Sequence, residues 1–321
     1  MHGWIRFVVA ALAVFVSSRF AAAQTPPTGP VAGVTLTSAG GEPRQQLAYK
    51  FQLGQFVNFE VVNKMTMTTQ YQQQTEKVTH ESKTWKQLRV ISIDESGNIL
   101  LEPYIQRVIM SAKFNDAEPT LYDSDKPDDA PHQFSEVAKT VKKPVARVLV
   151  TSSGELLKIT LLEGAPASLA NGGTAADPRL NFLTSLPKEP VGVGAIWKDR
   201  FEAPVNVGPN GLQQIVKLQR VYEVTKIEGS IATISLKTGV ITPVSDPQIE
   251  LQLMQRTPAG ILEFDIARGC MLSQRTIGDR TVVGALGPNT QVRSTMETLD
   301  RWLPPAGDAQ PAKLETTSLR N

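Results

Sequence analysis

Apolar and polar residues alternate along much of this chain. Between Val57 and Tyr71 the odd positions read Val57, Phe59, Val61, Met65, Met67 and Tyr71, interrupted by Asn63 and Thr69. The even positions read Asn58, Glu60, Lys64, Thr66, Thr68 and Gln70, with Val62 as the exception. A period of two sends successive side chains to opposite faces, so the stretch predicts one half-buried strand. At roughly 3.3 Å per residue it would reach roughly 50 Å, long enough that it is expected to curl as the strands of barrels and half-barrels do. Gln72-Gln73-Gln74 then makes the hairpin tip and residues 77–93 the returning strand.

Shorter copies of the pattern flank turn residues. Residues 91–101 read strand, acidic turn with Gly97, strand; residues 147–159 repeat this around Ser152-Ser153-Gly154-Glu155, and residues 221–236 around Glu228-Gly229-Ser230. Pro103 cannot donate to a ladder and predicts an edge or a bulge in the arm that carries it. One helix is expected at 135–142 (SEVAKTVK), with Ser135 as N-cap, Val137, Ala138 and Val141 on one face, and a stop before Pro144. Residues 161–190, with Asn171-Gly172-Gly173, Asp177-Pro178 and a close at Leu186-Pro187-Lys188-Glu189-Pro190, read as a linker with short helical turns.

The segments on either side of that linker look alike. Leu53-Gly54-Gln55-Phe56 answers Val193-Gly194-Ala195-Ile196-Trp197, residues 89–94 answer 223–228, and 148–157, turning at Gly154, answer 263–272, turning at Gly269. The pairs read as an internal duplication whose copies differ in loop length. The expected fold is therefore all-β and mainly antiparallel: two similar curved-sheet or partial-barrel units, residues 46–160 and 191–303, with one or two short helices. Residues 24–45 and 304–321, rich in Pro, Gly and small polar residues, are expected to be a disordered spacer and a disordered tail.

The order of these pieces resembles an uncharacterised family of exported β-rich bacterial proteins of the planctomycete type, known only as a domain of unknown function. The residues that carry the likeness are LAYKFQLGQFVNFEV at 47–61, FSEVAKTVKKPVARVLVTSSGELLKI at 134–159 and LPKEPVGVGAIWKDRF at 186–201. They are packing and turn patterns. The resemblance implies a β-rich exported protein and brings no catalytic residue, cofactor or ligand with it.

The N-terminus decides the expected compartment. A short basic start ends at Arg6, residues 7–16 are unbroken apolar, and Ala21 and Ala23 stand at the −3 and −1 positions of a cut before Gln24, the features of a secretory signal at 1–23. The apolar run is about half of the ~20 residues needed to cross a bilayer, so no transmembrane anchor is expected after cleavage. Arg6 and Arg19 account for the whole formal net charge of +2. The remaining chain is neutral, with no basic stripe for nucleic acid and no polybasic cluster for anionic lipid. A single cysteine, Cys270, forbids an intramolecular disulfide even in an oxidising compartment, so the fold must hold by burial alone.

Catalytic chemistry finds little to work with. His2 belongs to the signal, which leaves His80 and His132, each isolated and each read as an exposed strand or loop histidine. With one cysteine and two scattered histidines the usual zinc sets cannot be filled. The acidic loop Asp123-Ser124-Asp125-Lys126-Pro127-Asp128-Asp129 offers hard oxygens for calcium but has Asp128 where the helix-loop-helix template needs glycine and Phe134 where it needs a bidentate glutamate, so a solvated loop is expected. Ser153-Gly154 lies in a hairpin and not at a strand-to-helix corner, and no glycine pattern cradles a phosphate. Trp85, Trp197 and Trp302 are read as packing anchors and Cys270 as a small buried hydrophobe. Met65, Met67, Met110, Met254, Met271 and Met296 fall on predicted strands, either filling irregular cores or lining an adaptable apolar cavity. No catalytic, cofactor-binding or metal residue is assigned. The expectation is a secreted or periplasmic, non-enzymatic protein that binds an apolar or lipid ligand or acts as an envelope interaction module. The alternative is an envelope-polymer hydrolase using carboxylates that the sequence does not identify.

Overall fold

The computed structural model describes residues 33–126, 130–165, 183–208 and 212–303. The expected signal and its cut at Ala23 and Gln24, Asp128 and Asp129 of the acidic loop, the centre of the linker and the tail lie outside the described residues.

The protein is mostly antiparallel β, as the alternation requires. Its strands are β1 (Thr35–Ser38), β2 (Phe56–Tyr71), β3 (Gln74–Ile93), β4 (Ile99–Phe114), β5 (Thr120–Asp123), β6 (Ala146–Val150), β7 (Leu156–Leu161), β8 (Ile196–Val207), β9 (Leu212–Glu228), β10 (Ile231–Val240), β11 (Ala259–Asp265), β12 (Cys270–Val283) and β13 (Thr290–Leu303). They form one open, curved sheet in the order β1-β8-β9-β10-β11-β12-β13-β2-β3-β4-β6-β7, with β5 beside β4. The two expected units are fused: β2 and β13 pair over fourteen register positions, from Tyr71 opposite Thr290 to Asn58 opposite Leu303. The join links residues more than two hundred positions apart.

The turns obey local chemistry. Gly97 and Gly154 sit at φ 77° and 79°, which glycine adopts without a Cβ penalty. Asp94 Oδ1 accepts from the Ser96 and Asn98 amides, closing the β3–β4 turn and holding the Asp94 carboxyl below the ordinary carboxylate range, chiefly through Asn98. Pro103 lies between the stretch of β4 paired with β6 (residues 99–101) and the stretch paired with β5 (residues 109–112), so its missing N–H costs no ladder bond on that side.

Curvature brings both flanks of the sheet into one core. Ile99, Leu101, Val148 and Val150 come from one flank, and Trp197, Tyr222, Val224, Ile234, Leu262 and Phe264 from the other, all buried together. The gap between the flanks is bridged by two irregular segments. Gln45 and Val191 exchange backbone hydrogen bonds, Gly41 N–H donates to Val193 O, Tyr49 N–H to Ser152 O, Lys50 N–H to Gly269 O and Leu186 N–H to Ser153 O. A Cβ on Gly192 would collide with the Gly41 carbonyl, so this seam requires glycine. Tyr49, Leu47 and Leu186 fill the space behind it, and burial raises the Tyr49 hydroxyl above its ordinary pKa.

Several local expectations change. Residues 35–38, inside the segment expected to be a spacer, form the edge strand β1, because they pair with β8 while Leu36 packs on the core. The expected helix at 135–142 is one turn, Ser135–Ala138, after a 3-10 turn at His132–Phe134. Its N-cap is Phe134, and the Ser135 hydroxyl donates to His132 O. The more substantial helix, Pro247–Leu253, was not anticipated. Its signals are present in Asp246, whose side chain accepts from the Gln248 amide, and in Pro247 at the first helical position.

Candidate functional site

On the concave face of the sheet partly exposed apolar and polar side chains converge, and register places them in rows. The deepest row carries Trp302, Phe59, Lys86 and Ile105; the next Gln274, Asp300, Val61, Thr84 and Val108. Above these come Thr276, Thr298, Asn63, Ser82 and Met110, then Gly278, Met296, Met65, His80 and Ala112. Alternation along β12, β13, β2, β3 and β4 puts these residues inward and their neighbours outward.

Helical segments cover the flanks of this face. The 132–138 segment drops Phe134 onto Val108 and Met110, with Tyr122 stacked on it and His80 edge-on at 6.0 Å. On the other side Ile249 and Leu253 pack on Ala203, Val205 and Leu218, while Met254 meets Val282 and Val292. Gln255 Nε2 reaches Met65 Sδ at 2.9 Å. Between the flanks, Phe59, Val61, Asn63, Met65, Ser82, Thr84, Met296, Thr298, Asp300 and Trp302 are all half-buried. They form a trough: aromatic at its base, polar in its middle and methionine-lined above. Gly278 leaves open the space that a side chain opposite Met296 would take, its Cβ position lying 4.0 Å from that methionine.

The polar middle has one uncompensated group. Asn63 Nδ2 donates to Thr298 Oγ1 at 2.7 Å, but Asp300 Oδ1 is buried without a hydrogen-bond partner. Burial raises the Asp300 pKa, and the Lys86 ammonium on β3 opposes that rise. Between the ordinary carboxylate pKa and this raised value the folded state binds more protons than the unfolded one, so stability falls as pH rises through that window. Asp300→Asn is expected to stabilise the fold at pH 7 by about 1 kcal/mol, read as a higher urea midpoint, with the gain shrinking towards pH ~4. An unchanged midpoint at pH 7 would show that Lys86 fully compensates the carboxylate.

The residues singled out from sequence scatter. His80 lies on the concave face, half-buried and with its pKa lowered by burial, and is not the exposed strand histidine expected, because the odd–even register of β3 turns it inward. His132 sits in the 3-10 turn away from it in sequence and pairing. The acidic loop is a salt-bridge site: Arg107 contacts Asp123 at 2.8 Å and Asp125 at 3.1 Å, and Lys142 contacts Asp125 at 2.8 Å. Arg107, stacked 5.2 Å over Trp85 on the convex face, thus supplies the cation that a metal would have supplied. Among the described residues no group of three or more His, Cys, Asp or Glu side chains could hold a metal ion. Cys270 is buried and its thiol is pushed up to about 11, first by desolvation and then by Asp265. Trp197 is fully buried, whereas Trp302 lines the trough. Met65, Met67 and Met296 are half-buried on the concave face, Met110 and Met254 are buried, and Met254 lies in a 3-10 turn, not a strand.

Carboxylates on the concave side of the described strands are Glu76, Asp199 and Asp300, on three different strands with no two at paired positions. Asp199 is held by Arg220 at 3.2 Å. Sequence reasoning missed Asp300 and Lys86, because neither has a local motif; their shared face is set by the β13–β2–β3 register.

No family model matches this chain, and no curated protein matches it. Among solved structures it is similar to one titled "Lipid-protein interactions in lipovitellin", at 12% identity and a TM-score of 0.43, covering 83% of this chain and 27% of that one. The chain therefore spans little more than a quarter of that protein's length. Weaker likenesses are to DynF from the dynemicin biosynthesis pathway of Micromonospora chersina (8% identity, TM-score 0.21, 90% of this chain and 95% of that one) and to OccK5 of Pseudomonas aeruginosa (9%, 0.23, 78% and 99%).

Proposed function

We propose that this protein is exported and that it binds an elongated amphiphile, a lipid, in the trough on the concave face of its sheet, without converting it chemically. The basic start, apolar run and Ala21/Ala23 pattern support export. The observation that carries the binding reading is the half-buried strip itself. Phe59, Val61, Met65, Met296 and Trp302 offer apolar contact to a chain, and Asn63, Thr84, Thr298 and Asp300 offer polar contact to its head or linkage. Methionine suits such a lining, because its unbranched, polarizable side chain adapts to ligands of varied shape. Asp300 Oδ1 lacks the donor that a ligand hydroxyl or amide N–H would supply.

Native mass spectrometry of protein purified without detergent tests this. The expected spectrum contains a species heavier than the chain by the mass of a lipid, released on activation. Asn63→Trp, which fills the middle of the trough, is expected to remove that species while leaving the strand circular dichroism unchanged; Met65→Lys serves as a second variant acting by charge. A chain mass alone, together with no uptake of an added fluorescent fatty acid, would overturn the reading.

A further inference from the structure

The two ends of the sheet differ in a way that lipid binding inside the trough does not explain. Because every strand pair is antiparallel, the turns fall into two groups. At the end nearest the main core each turn carries or adjoins an acid: Asp94 and Glu95 after β3, Glu155 after β6, Glu228 at the end of β9 and Asp265 at the end of β11. At the opposite end three hairpin tips carry no charge. Residues 70–75, 212–216 and 281–292 contain no Asp, Glu, Lys or Arg, and neither do residues 238–245, which leave β10 at the same end. A fourth connection there, after β4, is the exception, with Asp116 and Glu118.

These neutral tips are also apolar and exposed. Tyr71 is 45% exposed, Leu212 70%, Val283 66% and Leu286 41%. Ile215, Val240 and Ile241 stand just behind them, each exposed by more than two-fifths. Water contact for so many large side chains on separate tips is unfavourable and would be relieved by a partner that buried them. Basic side chains sit one to two turns of register further back. Lys77 and Lys113, on adjacent strands, line a polar hollow of about 420 Å³ together with Thr75, Thr79, Asn115 and Asp116. Lys217 and Arg280 follow behind the β9 and β12 tips.

We infer that this end of the sheet docks on an anionic phospholipid bilayer, the neutral tips entering the apolar region and the lysine-lined hollow holding lipid phosphates. The occupant is a membrane surface because the apolar residues are dispersed on separate protruding tips, which a fluid layer can receive singly, and because cations stand where the headgroups would lie. A charged tip would have to be desolvated on entering the apolar region, which fits the absence of charge from the β2–β3, β9 and β12–β13 tips. Among the described residues no helix is long and apolar enough to cross a membrane. Docked in this way, the mouth of the trough would open onto the source of its ligand. The inference rests on the lipid-binding reading for that purpose and stands on its own observations for the docking.

Sedimentation of the purified protein with vesicles of phosphatidylcholine and phosphatidylglycerol is the test. Wild type is expected to pellet with anionic vesicles, less with phosphatidylcholine alone, and less at high salt. The exposed triple change Leu212→Ser, Val283→Ser and Leu286→Ser is expected to weaken association by about tenfold for each inserted residue lost. Lys77→Gln with Lys113→Gln should cost about fivefold per lysine, and only on anionic vesicles. Leu53→Ser, equally exposed but at the opposite end, is expected to change nothing. Wild type remaining in the supernatant with every vesicle, a triple variant that pellets like wild type, or a self-association in solution that the triple variant abolishes would each overturn the docking proposal. Native mass spectra of the triple variant separate the two readings: retained lipid with lost docking assigns the tips to the membrane alone, and docking by a protein that carries no lipid sinks the trough reading and leaves this one standing.

Discussion

Replacing Trp197 with alanine is expected to destabilise the fold by about 3–5 kcal/mol, a large share of the stability of a typical domain. The indole is fully buried, stacks on Tyr222 at 5.2 Å with the rings 13° from parallel, and donates its Nε1–H to Ser185 O at 3.0 Å. Truncation would remove the transfer energy of the ring, leave a cavity between β8 and β9, and strand the Ser185 carbonyl. Because that carbonyl belongs to the 183–191 segment that closes the seam, the loss should loosen the junction between the two flanks as well. Urea unfolding followed by circular dichroism gives the free energy. Hydrogen exchange should show the amides of Gln45, Val191 and Leu186 losing protection along with those of β8. A variant within 1 kcal/mol of wild type would mean that the seam, and not the tryptophan, holds the flanks together.

The second large effect concerns charge. Asp199 is nearly buried on β8 opposite Arg220 on β9, whose guanidinium lies 3.2 Å from its Oδ2 and 4.3 Å above the Phe201 ring. Desolvation raises the Asp199 pKa and Arg220 pulls it back. Arg220→Leu would leave an uncompensated carboxylate and is expected to cost about 3–5 kcal/mol at pH 7. Adding Asp199→Asn should restore most of that, because the cost lies in the orphaned charge and not in the absence of an ion pair. With Arg220 gone the folded-state pKa of Asp199 rises further above its unfolded value. The destabilisation is then fully present above the folded pKa and relieved as pH falls through it, so the single variant should gain stability relative to wild type as pH is lowered from 7. A pH-independent loss would point to lost packing on Phe201 instead.

Both effects depend on partners that strand pairing brings together and that no local motif marks, and that divides what could be read early from what could not. The alternation from Val57 to Tyr71 announces a long strand, and its odd set is the set that faces inward, because side-chain direction in a strand depends only on parity. The turns at Gly97 and Gly154 were legible for an equally local reason, the φ > 0 that their positions demand. The helix at Pro247–Leu253 was present in the Asp246-Pro247 cap but hidden by its short length, since seven residues barely establish a period.

The trough was not legible in that way. Met65 and Met296 meet only because β13 returns to pair with β2, and Asp300 faces Lys86 only through two register relationships across three strands. The His80 ring looked solvent-facing because its sequence neighbours Glu81 and Ser82 are polar, yet neighbours in a strand point the other way or sit two places along the same face. The amino-acid sequence by itself determined that the chain is antiparallel β, which residues share a face and where the hairpins turn, since each of these follows from steric and solvation preferences within a few residues. The tertiary structure alone decided that two halves make one sheet, that its curvature closes a common core, and that a half-buried trough with neutral tips at its mouth results, because pairing between strands hundreds of residues apart is selected by the energy of the whole packed sheet and not by any segment of it.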